Sequence, residues 1–459
     1  MKAKSVTPKD LPMIRVTVLE HGQRASANSL PCLIGQNLDF TTSRLESYCL
    51  ASWKPLVFDA LLVAAAIEFC DRIKKRPSMG WGRHFEVQIP VHDVAHWSSK
   101  ALLYALTDAL EFLTGDRWRI HFYKRYRPEQ RQQQAHLPIP PGITTIIPFS
   151  DGMDSRAVSA LLAKELGSRL CRVRLGSKIT DRRTSARQRQ PFTTVPYEVS
   201  TGRGSGETSA RSRGFKFATV SAVAAYLVGA KEIIVSESGQ GALGPALVAA
   251  GQAYEDYRNH PLFTDRMERY LNAAFGMDIR FRFPRLWKTK GETLAEYAKL
   301  TNETAHIDAR SCWQQSRQVS VNGHRRQCGV CASCMLRRLS VYAAGLKEPR
   351  ETYVWENLGA PTIEAGAANG FNKITGALRE YAIAGALHLD HLADLRGSPL
   401  HKGALRRHAR QLAHSQALSL DDAEANLDRL LAQHSKEWRE FIHSLGRKSF
   451  ITNWVASAA

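Results

Sequence analysis

The stretch Pro148-Phe149-Ser150-Asp151-Gly152-Met153-Asp154-Ser155-Arg156-Ala157 follows the apolar run ITTII (143–147) and leads into VSALLAKELG (158–167). Two serines, two aspartates and a glycine thus separate a β-rich segment from a helix-like one. Such a junction admits two readings. One is a tight turn that caps a helix. The other is a loop whose backbone holds phosphates, because a helix N-terminus presents unpaired N–H groups and the positive end of the helix dipole. On that reading Gly152 lets the backbone approach a ligand, Ser150 and Ser155 offer hydroxyls, and Asp154 helps to hold Mg²⁺. No Gly-Lys-Ser/Thr is present, so the loop is not of the Walker type.

Outward from this loop, the chain alternates between strand-like and helix-like segments. LCRVRLG (170–176) reads as a strand, FKFATVSAVAAYLVGA (215–230) as an apolar helix and KEIIVSES (231–238) as the next strand. That alternation predicts an α/β domain built on a doubly wound parallel sheet, in which ligands sit beyond the carboxyl ends of the strands. The Ser150–Ser155 loop and SESGQG (236–241) both fall at such ends.

The remaining chain divides by texture. Residues 1–126 read as an N-terminal α+β domain. It has a helix from Pro55 over PLVFDALLVAAAIEFCDRI, a strand HFEVQIPV (84–91), a helix capped by Ser98-Ser99 that runs to Leu113 and stops at Gly115, and a strand WRIHFYKRY (118–126). Residues 127–142 are Gln- and Pro-rich, which is linker chemistry. The α/β domain spans 143–345. Residues 346–459 read as a helical region, whose longest helix opens with a capping box at Ser419 and Asp422 and stops at Gly446.

With 459 residues and 44% hydrophobic content the chain is long enough for several packed domains. The longest apolar run, Ala60–Ile67, is far below the roughly 20 residues of a membrane helix. The first residues lack the apolar stretch of a signal peptide, so a cytoplasmic protein is expected. A net charge of +20 favours polyanionic partners, nucleic acid and nucleotides among them, without choosing between them. Of eight cysteines, Cys32, Cys49, Cys70 and Cys171 stand apart, whereas Cys312, Cys328, Cys331 and Cys334 form a C-x15-C-x2-C-x2-C cluster. Four thiolates are what a closed tetrahedral Zn²⁺ site takes, leaving no open position for substrate; an iron–sulfur cluster is the alternative.

These motifs carry a resemblance. SDGMDS is similar to the Ser-Gly-Gly-x-Asp-Ser signature of the PP-loop ATP pyrophosphatases, of the adenine nucleotide alpha hydrolase-like fold, with Asp151 in place of the first of its two glycines. Asp tolerates unusual backbone angles better than most residues. Together with SC…CGVCASCMLRR (311–338) the loop resembles the QueC, or 7-cyano-7-deazaguanine synthase, family. Ser311, Cys312, Cys328, Gly329, Cys331, Cys334 and Arg337 match its zinc segment in order. Arg211 and Phe215 match its Arg-Asn-x-x-Phe helix, and Pro284, Leu286, Thr289 and Lys290 its Thr-Pro-Leu…Thr-Lys-x-Glu segment. The family's Ser-Gly-Tyr-Pro-Asp segment is replaced by SESGQGALGPAL. The resemblance covers about residues 143–345, and the added N-terminal domain and helical tail resemble the enlarged QueC-like proteins of bacterial anti-phage systems, of the QatC type or from CBASS operons.

The resemblance implies an AMP-forming, ATP-dependent ligase or synthase that adenylates a 7-deazaguanine carboxylate and passes the acyl group to an amine. Asp154, Ser155, Lys290 and Arg211 would be catalytic. Ser150, Asp151, Gly152, Met153, Asp154, Ser155, Lys216 and Glu237 would contact the nucleotide or substrate. ATP, Mg²⁺ and Zn²⁺ are the implied cofactors, and a protein encoded in the same operon is the implied partner; no membrane association is expected. Three alternatives stay open: an ordinary 7-cyano-7-deazaguanine synthase, a PP-loop tRNA-modifying enzyme, and a degenerate ATP- or zinc-binding scaffold of a defence complex.

Overall fold

The computed structural model describes residues 12–41, 44–45, 54–77, 82–126, 141–150, 152–175, 192, 194–202, 206–207, 210–249, 255–301, 309–312, 314 and 319–456. Asp151, the expected linker up to residue 140 and Cys49 lie outside the described residues. The chain forms two compact units, each assembled from several segments. The first comprises Met1–Ser150, Leu166–Val235 and Leu262–Arg282; the second comprises Asp151–Glu165, Ser236–Pro261 and Phe283–Ala459.

The first unit holds two four-stranded sheets. One contains β1 (Met13–Leu19), β2 (Leu30–Leu33), β3 (His84–Val91) and β4 (Arg117–Lys124) in the order β2-β1-β3-β4. Every pair in it is parallel. This corrects the α+β expectation for the N-terminal part, which is α/β. The reason is connectivity: helix Pro55–Ile73 stands between β2 and β3, and helix Lys100–Thr114 between β3 and β4, and each returns the chain for a parallel pairing. The first of these helices begins with Pro at its first turn and buries Phe58, Leu61, Leu62 and Ile67 completely or nearly so. The second ends at Gly115 in the left-handed conformation, φ 69°.

The other sheet contains β5 (Thr145–Phe149), β6 (Leu170–Arg174), β7 (Glu232–Ile234) and β8 (Arg280–Arg282) in the order β8-β7-β5-β6, again wholly parallel. Pro148 sits in the inner strand β5 without breaking a ladder. Thr144 accepts from Glu232 on one side and Phe149 from Leu175 on the other, so alternation turns Pro148 toward β7, whose pairing has already ended at Ile146. The apolar helix Arg213–Val228 precedes β7 and ends at Gly229, φ 75°.

The second unit is helical: Met153–Leu166, Lys290–Thr301, Ala332–Ala343, Gly376–Asp394, Lys402–Ser415, Leu420–Leu445 and Phe450–Ala456. Its larger core gathers Trp355, Trp438, Phe441, Leu358 and Leu389 with Cys328, Cys331 and Cys334. A smaller core packs Met153 and Ala157 against Leu294, Tyr297, Ala309 and Val341. Among the described residues no helix is long and apolar enough to cross a membrane.

Candidate active site

Strand β5 ends at Phe149, and the helix that follows starts at Met153. The Arg156 N–H makes the first helical bond onto the Gly152 carbonyl at 3.1 Å, and the Ser155 Oγ donates to the same oxygen at 3.0 Å. Ser150 is exposed. The Met153 side chain is buried in the small core, so only its backbone is available to a ligand. Asp154 lies in the first helical turn, where a carboxylate complements the dipole.

Asp154 meets Lys290, whose Nζ is 2.5 Å from its Oδ2. Lys290 is itself held at a helix start by its neighbours. Thr289 N–H donates to Glu292 Oε2 at 2.8 Å and Glu292 N–H donates to Thr289 Oγ1 at 3.1 Å, the reciprocal pair of a capping box. Lys290 is buried, which is tolerated because its ammonium is paired.

Glu237 completes the cluster. Burial, reinforced by the nearby Asp154 carboxylate, pushes its carboxyl up to about 7, while Lys290 and Arg258 pull in the other direction. Asn259 Nδ2 donates to Glu237 Oε1 at 3.2 Å. Gly241 is required beneath it, since a Cβ there would stand 2.2 Å from Glu237 Oε2. Arg258 is anchored by Asp256, its Nε donating to Oδ2 at 2.8 Å. The cluster therefore holds three carboxylates, Asp154, Glu237 and Asp256, and two cations, Lys290 and Arg258, with one carboxyl titrating near neutrality, where general acid–base groups are most effective.

Three of the expected residues, Asp154, Lys290 and Glu237, thus come together in the second unit. Arg211 and Lys216 belong to the first. Arg211 Nη1 donates to the Thr114 carbonyl at 2.9 Å. Lys216 pairs with Glu68 at 2.7 Å and lies over the Tyr197 ring. Sequence reasoning passed over Asp256, Arg258, Asn259, Gln240, His434 and Glu437. The first three sit in the polar stretch EDYRNH (255–260), which matches no motif. His434 and Glu437 are polar positions of a long helix whose partners cannot be read from spacing.

The cysteine cluster forms a separate centre in the same unit. The Sγ atoms of Cys312, Cys328, Cys331 and Cys334 all lie within 4.8 Å of one another, and Cys328 and Cys334 are 3.7 Å apart. Tetrahedral Zn²⁺ with bonds of about 2.3 Å calls for S–S separations of about 3.8 Å, so the four thiols fit that ion. Backbone N–H groups of Cys328 and Cys331 donate to Cys312 Sγ and Cys328 Sγ at 3.2 and 3.3 Å. Gly329, at φ +91°, makes the knuckle between them, where a Cβ would press on Arg338 and Tyr353. Arg337 is fully buried and paired with Glu348, tying the helix after the cluster to the segment beyond it.

No solved structure matches the chain. The family model described as Queuosine biosynthesis protein QueC matches residues 193–345, about a third of the chain. The matched residues include Arg211, Lys216, Glu237, Lys290 and all four clustered cysteines, and they begin after the Ser150–Ser155 loop. The match supports the QueC family of PP-loop enzymes, and with it ATP-using synthase chemistry of the 7-deazaguanine type.

Proposed function

We propose that the protein is an AMP-forming enzyme that adenylates a 7-deazaguanine carboxylate and transfers the acyl group to an amine. The reading is carried by the 2.5 Å pairing of Lys290 with Asp154 in the first turn after the Ser-Asp-Gly loop. A substrate carboxylate oxygen attacks the α-phosphorus of ATP; the bond from that phosphorus to the bridging oxygen breaks and pyrophosphate leaves. The amine nitrogen then attacks the acyl carbon, AMP leaves with the C–O electrons, and the amine proton passes to a base. Glu237, titrating near neutrality, is the base at hand. Lys290 offsets the negative charge that develops on the phosphates, and the N–H groups of the Met153 turn cradle them. Asp154 would hold Mg²⁺, which neutralises phosphate charge when bound. The zinc centre has a structural role, with four protein ligands and no open position. Lys216 already has a carboxylate partner in Glu68, so the reading does not lean on it.

Asp154→Ala and Ser155→Ala should each abolish release of AMP and pyrophosphate while leaving the zinc content unchanged. Products of ADP and phosphate would sink the assignment. A protein amine, supplied by an operon partner in an anti-phage setting, is the proposed acceptor. Intact masses after incubation with ATP, 7-carboxy-7-deazaguanine and the partners test it, and release of free 7-cyano-7-deazaguanine with every partner mass unchanged would return the chemistry to that of an ordinary synthase.

A further inference from the structure

The family match ends at residue 345, yet Lys290 is fixed from beyond it. The backbone N–H of Lys290 donates to Gln240 Oε1 at 2.8 Å, and Gln240 Nε2 faces His434 Nδ1 at 2.8 Å. His434 Nε2 in turn lies 2.9 Å from the Leu389 carbonyl. The chain of donors is determined at both ends. A backbone N–H can only donate and a carbonyl can only accept, so the Gln240 amide points its NH₂ at an unprotonated Nδ1, and His434 carries its proton on Nε2. One turn away, Thr289 Oγ1 donates to Glu437 Oε1 at 2.6 Å, and Gln433 Nε2 supports the same oxygen at 3.0 Å. Arg429 pairs with Glu292 and donates to the Trp287 carbonyl.

Every member of the inner part of this network is buried: Gln240, Thr289, Lys290, His434 and Glu437. Gly291 has no room for a side chain: a Cβ there would meet Ala343 Cβ, from the helix Ala332–Ala343, at 2.7 Å and the Glu437 carboxylate, from the helix Leu420–Leu445, at 3.2 Å. Buried polar groups are costly unless satisfied; every link from the Lys290 N–H through Gln240 and His434 to the Leu389 carbonyl is paired, and such a chain fixes one geometry. An apolar helix face would anchor the helix without a polar chain that ends on the N–H of the residue facing Asp154.

We infer that the helix Leu420–Leu445 is part of the catalytic apparatus, with Gln240 and His434 as positioning residues that hold Lys290 against Asp154. The inference rests on the reading of Lys290 as a site residue. His434→Leu and Gln240→Met cut the chain at different links with little change of volume; His434→Asn restores an acceptor where Nδ1 stood. The full-length, zinc-loaded protein is labelled with an amine-reactive ester, and the labelling rate of Lys290 is followed by peptide mass spectrometry, with exposed Lys402 as internal reference. AMP formation is measured in parallel. Both cutting variants should label Lys290 several-fold faster and lose about tenfold or more in kcat, since a misplacement on the order of 1 Å is costly. His434→Asn should return both readouts toward wild type. Unchanged Lys290 labelling in either cutting variant, folded and zinc-loaded, overturns the inference, and Gln240→Met decides alone if His434→Leu does not fold. If the wild type forms no AMP while the labelling responds as expected, the adenylation reading fails and the positioning stands.

Discussion

At the scale of single residues, Glu237 is the most informative. Its chemistry as a strand-end carboxylate was visible in SESGQG, but its environment was not, because Asp256, Arg258 and Asn259 reach it from a stretch without a motif. Its carboxyl is raised by burial, so the folded state favours the protonated form over the unfolded chain. That contribution to stability is present below the ordinary carboxylate value near 4.5 and is lost as pH rises through about 7. Glu237→Gln should therefore melt at the same temperature as wild type at pH 4.5 and higher than wild type at pH 8. Equal melting temperatures at pH 8 would mean that the carboxylate is not desolvated. The same substitution removes the proposed base, so it should slow amide formation more than pyrophosphate release.

At the scale of elements, caps and periodicity were legible and connectivity was not. Helix Pro55–Ile73, strand His84–Val91 and helix Leu420–Leu445 lie where their patterns place them, since Pro at a first turn, alternation, and a Ser-x-x-Asp box are local signals. The parallel pairing of the first sheet is non-local, and alternation alone does not distinguish it from an antiparallel one. Packing at helix ends was equally hidden: at Gly239 a Cβ would stand 2.2 Å from the Leu286 carbonyl and 2.4 Å from a Leu430 methyl. Gly239→Ala should accordingly destabilise by about 1–3 kcal/mol, the usual cost of overpacking, read by urea unfolding. In the cysteine knuckle, Cys331→Ser should lower the zinc content and the melting temperature together, because metal binding is coupled to folding. One zinc retained per chain with an unchanged melt would reject the four-thiolate site.

At the scale of the whole molecule, the second unit carries histidines that pack neutral, His260 and His434 buried and His408 half-buried. Burial lowers His434 and His408 to about 4, and His260, 3.0 Å from His408, is depressed well below its usual value. In the unfolded chain these rings protonate near 6.5, so the unfolded state binds more protons in between. Stability should be full above about 6.5 and decline as pH falls toward 4, which denaturant midpoints taken across that window can check. A flat midpoint would place the rings in contact with solvent.

The interleaving of the two units has a consequence for how the chain is made. The backbone passes from one unit to the other at residues 150, 165, 235, 261 and 282, so neither unit is a contiguous stretch. On a ribosome, the first unit has all its strands only when Arg282 has emerged, and Lys290 waits for the helix Leu420–Leu445. At roughly 5–20 residues per second that wait is on the order of ten seconds, during which Gln240 and Thr289 lack His434 and Glu437, and the core around the cysteines lacks Trp438 and Phe441. A nascent chain of this topology is a natural client for chaperones.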